Sequence, residues 1–162
     1  EDIFFSKMNQ GSRSNAKLVS DLSYLFSNDA PLNISADGNT MILFKSGDLY
    51  YSEKYSNGWY REQVYPERIN SCGWQADAMI TSDGNALLFA SIREGGYNTN
   101  NYAMTYHGDG LHPCDIYVSV LNENSEWGEP INLGPVINTR YCDRTPFLHP
   151  DMRTLYFSSD GH

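Results

Sequence analysis

No run of the chain is apolar over the ~20 residues that a helix needs to cross a bilayer, and the charged start at Glu1-Asp2 does not read as a signal peptide. Basic side chains are few. Against 20 Asp and Glu stand 11 Lys and Arg, a net charge of −9, so a polyanion is repelled rather than steered in and nucleic acid is not an expected partner. Cysteine is scarce as well: Cys72, Cys114 and Cys142 show no Cys-x-x-Cys spacing, which argues against a structural zinc site, and their odd number leaves at least one unpaired within the chain. No stretch sustains an apolar spacing of three and four, and Gly or Pro interrupts most windows, which excludes a helical repeat. A nucleophile elbow, a phosphate loop and a dinucleotide fingerprint are all missing; Gly108-Asp109-Gly110 lacks the third glycine.

What is present is repetition. Asp2-Ile3-Phe4-Phe5-Ser6, Asp48-Leu49-Tyr50-Tyr51-Ser52 and Asp115-Ile116-Tyr117-Val118-Ser119 are one phrase written three times. A second phrase interleaves with it, built on Asp37-Gly38, Asp83-Gly84 and Asp151-Met152, each followed by an apolar run ending in Phe44, Phe89 or Phe157. Asp2 to Asp37 and Asp48 to Asp83 are each 35 positions apart, and Asp115 to Asp151 is 36. From the apolar run to the next first phrase the step is short after Phe44 and long after Phe89, so one copy carries an insertion, 91–114.

Runs of β-branched and aromatic residues bounded by turn formers are short strands, and Asp-Gly between two of them signals a hairpin. In the copy that starts at Ala30 the pattern predicts strands over 31–35, 41–45, 49–53 and 59–64. Four antiparallel strands recurring about every 46 residues match a blade of a β-propeller. The fold expected is all-β: a β-propeller segment of about three blade equivalents in an incomplete ring, with a half blade 1–29, a blade 30–75, a blade 76–143 carrying the insertion, and a half blade 144–162. Open edges then require the remaining blades from a longer chain or from a second copy.

The residues of 115–119, of 127–130 (Trp-Gly-Glu-Pro), of 132–138 (Asn-Leu-Gly-Pro-Val-Ile-Asn) and of 144–158 together resemble the TolB-type, WD40-like propeller repeat. The copy before it departs from the pattern: Trp59-Tyr60-Arg61-Glu62 lacks the proline, and Ala76-Asp77-Ala78 replaces Arg-x-Pro. The resemblance implies a cell-envelope protein of Gram-negative bacteria, periplasmic or associated with the outer membrane, and implies no active site or cofactor.

In such a blade the second-to-third turns and the blade crossovers share one face. The insertion and the crossovers 66–75 and 134–143 therefore gather there, on loops free to carry function. The residues expected to contact a protein, peptide or glycan are Trp74, Arg93, Tyr97, Tyr102, Tyr106, His107, Arg140, Tyr141 and Arg144: aromatics for area, arginines for direction. Arg93, Arg140 and Arg144 could approach one another. The alternative for the insertion is a loop that packs its tyrosines over its own blade edge. A metal reading rests on His107, Asp109 and His112 with Cys114 and Asp115, but Gly108, Gly110 and Pro113 between them are ordinary turn residues, and no metal is expected.

Asp37, Asp83 and Asp151 are each one blade apart at hairpin tips on the opposite face, where turn chemistry accounts for them. The competing function is a glycan-active or hydrolytic propeller, sialidase- or glycosidase-like or peptidase-associated, which needs two carboxylates converging on one pocket. Cys72 and Cys142 stand in equivalent crossovers, which adjacent blades hold too far apart for a disulfide; buried free thiols are expected.

Overall fold

A computed structural model describes residues 2–23, 29–71, 73–97, 104–106, 109–111 and 114–162. Among them the regular structure is all β. The strands in chain order are β1 (Phe4–Phe5), β2 (Met8–Asn9), β3 (Ser12–Arg13), β4 (Lys17–Leu18), β5 (Asp29–Ile34), β6 (Thr40–Lys45), β7 (Asp48–Tyr55), β8 (Gly58–Trp59), β9 (Gln63–Val64), β10 (Gln75–Ile80), β11 (Ala86–Ser91), β12 (Met104–Tyr106), β13 (Asp109–Leu111), β14 (Asp115–Val120), β15 (Ile131–Asn132), β16 (Asp143–Leu148) and β17 (Leu155–Ser159).

The repeat in sequence is a repeat of antiparallel sheets. β5, β6 and β7 pair in order, with β8 and β9 both on the far edge of β7. β10, β11, β14 and β15 form the second sheet, and β16 pairs with β17 in the last. Ahead of them β1 pairs with β4, and the small hairpin β2–β3 lies between them in the chain. Strands predicted at 41–45 and 49–53 are β6 and β7, and the stretch predicted as one strand at 59–64 is two short pairings against β7. Within the insertion β12 pairs with β13 as a hairpin.

Alternation assigns each strand two faces, and the sheets bury them against one another in sequence. Ile42, Leu49, Tyr65 and Ile69 from one sheet meet Ala78, Leu87, Phe89 and Tyr117 from the next. Leu43, on the other face of β6, packs with Ile3, Val19 and Leu22. Ala90 packs with Cys114 and Cys142 toward the last sheet. The first strands of the three sheets come side by side, β10 lying against both β5 and β16.

All three of those first strands are bulged, between Pro31 and Asn33, between Ala76 and Met79, and between Arg144 and Phe147. Asp77 and Thr145 take φ of 50° and 51° at the bulges, a conformation that non-glycine residues hold only at a cost of order 1 kcal/mol.

The hairpin tips satisfy themselves. Asp37 accepts from Ser35 Oγ and from the Asn39 backbone N–H, Asp83 from Thr81 Oγ and the Asn85 N–H, and Asp151 from the Arg153 and Thr154 N–H groups. These hydrogen bonds, led by Ser35, Thr81 and Arg153 respectively, lower each pKa from the usual aspartate value of 3.8. A depressed carboxylate stabilises the fold above its unfolded pKa, and that contribution is lost as pH falls through the folded value. The melting temperature is therefore expected to hold down to about pH 4 and decline below it. A triple variant D37N, D83N, D151N, followed by thermal unfolding against pH, is expected to show a shallower decline over that window.

Candidate functional site

β11 begins at the Asp83 tip and ends at the insertion, so tip and insertion lie at opposite ends of the sheet. On the tip side Ser82 Oγ donates to Pro150 O of the neighbouring tip, at 3.5 Å. On the other side the irregular segments join. Ile92 N–H donates to Trp74 O, Gln75 N–H to Gly47 O, Asp143 N–H to Cys114 O, and His162 Nε2 lies 3.1 Å from Ile137 O. The turn at Gly47, the crossovers 66–75 and 134–143, both roots of the insertion and the segment after β17 thus make one face.

Two asparagines at equivalent places fold the crossovers back onto the sheets. Asn70 Oδ1 accepts from Leu49 N–H while its Nδ2 donates to Leu49 O and Tyr65 O. Asn138 does the same for Ile116 N–H and Ile116 O, and donates also to Asn132 Oδ1. A side-chain amide supplies an acceptor and two N–H donors on separate atoms, which this bridge uses; a hydroxyl has a single donor and an ionised carboxylate none.

Arg93 binds the insertion's first root to the preceding crossover. Its guanidinium donates to Ser91 Oγ, Arg68 O and Ile69 O, the last at 2.7 Å, and stands 5.0 and 4.9 Å from the ring centroids of Phe89 and Tyr117. Burial lowers its pKa from the usual guanidinium value. Four residues on, Tyr97 N–H donates to Asp115 Oδ2, which also accepts from Asn132 Nδ2. Gly96 permits this approach, because a Cβ there would lie 2.6 Å from Asp115 Oδ2. The Tyr97 side chain is left 42% exposed.

Arg144 crosses from the last sheet to Asp77 of the one before, Nε to Oδ2 at 2.6 Å, with its guanidinium 5.3 Å from the Trp74 ring. Trp74 in turn packs on Phe44, 6.3 Å between centroids. Beside this stack opens a hollow of 230 Å³, walled by the three bulges: Pro31 to Asn33, Asp77 to Met79, and Thr145 to Phe147. Asp77 is the charged group in that wall. Arg140 is exposed, donates to Tyr141 Oη at 2.9 Å, and holds its guanidinium 5.0 Å from the Tyr141 ring.

The structure therefore brings Trp74 and Arg144 together, pairs Arg140 with Tyr141, and commits Arg93 to backbone carbonyls of the neighbouring crossover. Three separate sets of partners hold the three arginines. Tyr102, His107 and His112 lie outside the described residues; Tyr106 and Asp109 are end partners in the β12–β13 pairing. Among the described residues no three His, Cys, Asp or Glu side chains come together as a metal would require. Sequence reasoning missed Asp77, which takes the unspecified middle place of Arg-x-Pro, where Thr145 stands in the next copy, so the repeat pattern carries no signal for it. It also left the roles of Asn70 and Asn138 unassigned, although both stand at the end of an Ile-Asn step.

The tip aspartates do not assemble a catalytic pair. Their carboxylates are occupied by their own turns, and a general acid needs its pKa raised rather than lowered. Comparison with protein-family models, with curated proteins and with solved structures gives no match.

Proposed function

We propose that the chain is a segment of a cell-envelope β-propeller that binds a protein, peptide or glycan through its crossover face, without catalysis. The observation that carries this reading is the convergence of both roots of the insertion and the crossovers 66–75 and 134–143 on one face, while the Asp37, Asp83 and Asp151 tips opposite are closed by their own hydrogen bonds. Strands are committed to packing, so recognition falls to the loops that they hold in place. On this face Tyr97, Tyr141 and Trp74 offer aromatic area and Arg140 a directional cation.

The propeller reading draws support from the two outward faces of the stack. Phe4 is 58% exposed, although Tyr117 at the same place in its phrase is buried against the preceding sheet. Tyr156 is 58% exposed, although Ile42 and Leu88 at its register are buried. Further sheets of the same kind would cover both. Envelope location rests on the resemblance of 115–158 to the TolB-type repeat.

The test is binding of the purified chain to immobilised glycan and peptide arrays, repeated with R140A/Y141A. Any ligand retained by the parent is expected to bind the double variant at least about tenfold more weakly, the loss of one hot-spot contact, at unchanged melting temperature. Equal binding by parent and variant would overturn the assignment of this face.

A further inference from the structure

Cys114 ends the insertion one residue before β14, and Cys142 ends the second crossover one residue before β16. Their backbones touch, because Asp143 N–H donates to Cys114 O at 2.7 Å. Their Sγ atoms stand 2.8 Å apart, closer than two non-bonded sulfurs pack and longer than the bond of about 2.05 Å. Both side chains are buried, 1% and 6% exposed, with Ala90, Trp74 and Ile92 packed around them. A free pair of thiols gains little from that proximity, whereas a covalent bond needs it: the pairing of adjacent backbones and converging side chains is the condition most cysteine pairs fail.

We propose that Cys114 and Cys142 are the site of an intramolecular disulfide that ties the second root of the insertion to the crossover carrying Arg140 and Tyr141, with a protein or low-molecular-weight disulfide as the oxidant. The chemistry is two exchanges. The Cys142 thiolate attacks one sulfur of the oxidant, forming a mixed disulfide and expelling one thiolate, which takes up the proton that Cys142 lost. The Cys114 thiolate then attacks Cys142 Sγ, forming the Cys114–Cys142 bond, breaking the mixed disulfide and releasing the second oxidant thiolate with the proton from Cys114. Two electrons pass to the oxidant. This order follows from exposure, since Cys142 is the more accessible sulfur, and from the hydrogen bond between them: donation from Cys114 lowers the Cys142 pKa to about 7 and, with burial, raises that of Cys114.

The consequence for the face is mechanical. Residues 92–113 are already held at their start by Arg93 and by the Tyr97–Asp115 bond. The disulfide would hold their end, and would fix Tyr141 at one residue's remove from it. The cross-link stands independently of the binding reading, because it follows from two side chains and not from a ligand.

Cys72 lies outside the described residues, and Cys72→Ser leaves the pair as the remaining thiols. The purified variant is incubated with excess oxidised glutathione, quenched in acid, unfolded and alkylated with N-ethylmaleimide, and its intact mass is read. The oxidised protein is expected to be lighter by two hydrogens and to take no adduct, while a reduced sample takes two. Oxidation is expected to raise the melting temperature by about 10 °C. The unsubstituted chain, digested without reductant, is expected to yield a peptide linking Cys114 to Cys142. Two adducts after oxidation, both from the folded state and after refolding in the same buffer, would overturn the proposal. A persistent glutathione adduct, or a linked peptide containing Cys72, would overturn it as well. Should Cys72→Ser fail to fold, the peptide map of the unsubstituted chain decides.

Discussion

Asn138→Ala is expected to destabilise the fold by about 3 kcal/mol, lowering the melting temperature by roughly 6 to 12 °C for a chain of this size. The side chain is 1% exposed and makes three hydrogen bonds, to Ile116 N–H, to Ile116 O at 2.8 Å and to Asn132 Oδ1 at 2.7 Å. Alanine removes all three. Ile116 O keeps the Leu133 N–H as a donor, but Ile116 N–H loses its acceptor at a buried strand, and a desolvated donor without a partner accounts for most of the loss. Asn138→Asp is expected to do no better, because it retains an acceptor for Ile116 N–H but sets a carboxylate against two oxygens. Asn70→Ala, at the same place in the preceding copy, is expected to act in the same direction. Urea unfolding with constant slope gives the comparison directly; a loss under about 1 kcal/mol at Asn138 would show that the crossover is held by its apolar contacts instead.

The sheet order was legible because it rests on spacing. Phrases at 2, 48 and 115 and tips at 37, 83 and 151 each occupy the same position in their sheets, so counting residues located the strands without any energy argument. Where strand ends moved, they moved by a residue or two, as at 29–34 against the expected 31–35. The split of the fourth strand into β8 and β9 was not legible, since nothing in Trp59 through Val64 marks a break, and what interrupts it is one extra residue: Tyr60 to Glu62 stand opposite Ser52 and Glu53, so the register against β7 slips by one.

The site was legible to a smaller degree, because tertiary partners decide it. Topology located the face, and composition picked out Trp74 and Arg144, yet neither showed that they meet. Arg93 reads in sequence as a residue that contacts a partner; in the fold its guanidinium donates to Ser91 Oγ, Arg68 O and Ile69 O. Equivalent positions suggested Cys72 and Cys142 as the pair to weigh for a disulfide, whereas the sulfurs brought into contact are those of Cys114 and Cys142, at the non-equivalent ends of an insertion and a crossover. Repeats predict which residues occupy like places. They do not predict which unlike places touch.

The Arg144–Asp77 pair is where a single change is expected to act on both stability and the hollow. The two side chains are 17% and 15% exposed, so water reaches them partially and the bond is not worth the full value of a buried pair. Arg144→Met keeps most of the stem that covers Trp74 but leaves the Asp77 carboxylate in the hollow wall without this partner, an expected loss of about 2 kcal/mol. Asp77→Asn in the same background removes the stranded charge and keeps a residue type that tolerates the φ of 50° at the bulge, so it is expected to recover more than half of that loss. Asp77→Asn alone leaves the guanidinium over Trp74 without its carboxylate and is expected to cost less than Arg144→Met, since an amide oxygen can still accept from Nε. A double-mutant cycle by urea unfolding isolates the coupling, expected at about 1 to 2 kcal/mol. Additive single effects would mean that the two side chains contribute separately, through packing on Trp74 and through the backbone of the bulge, and that the pair does not brace the last sheet against its neighbour.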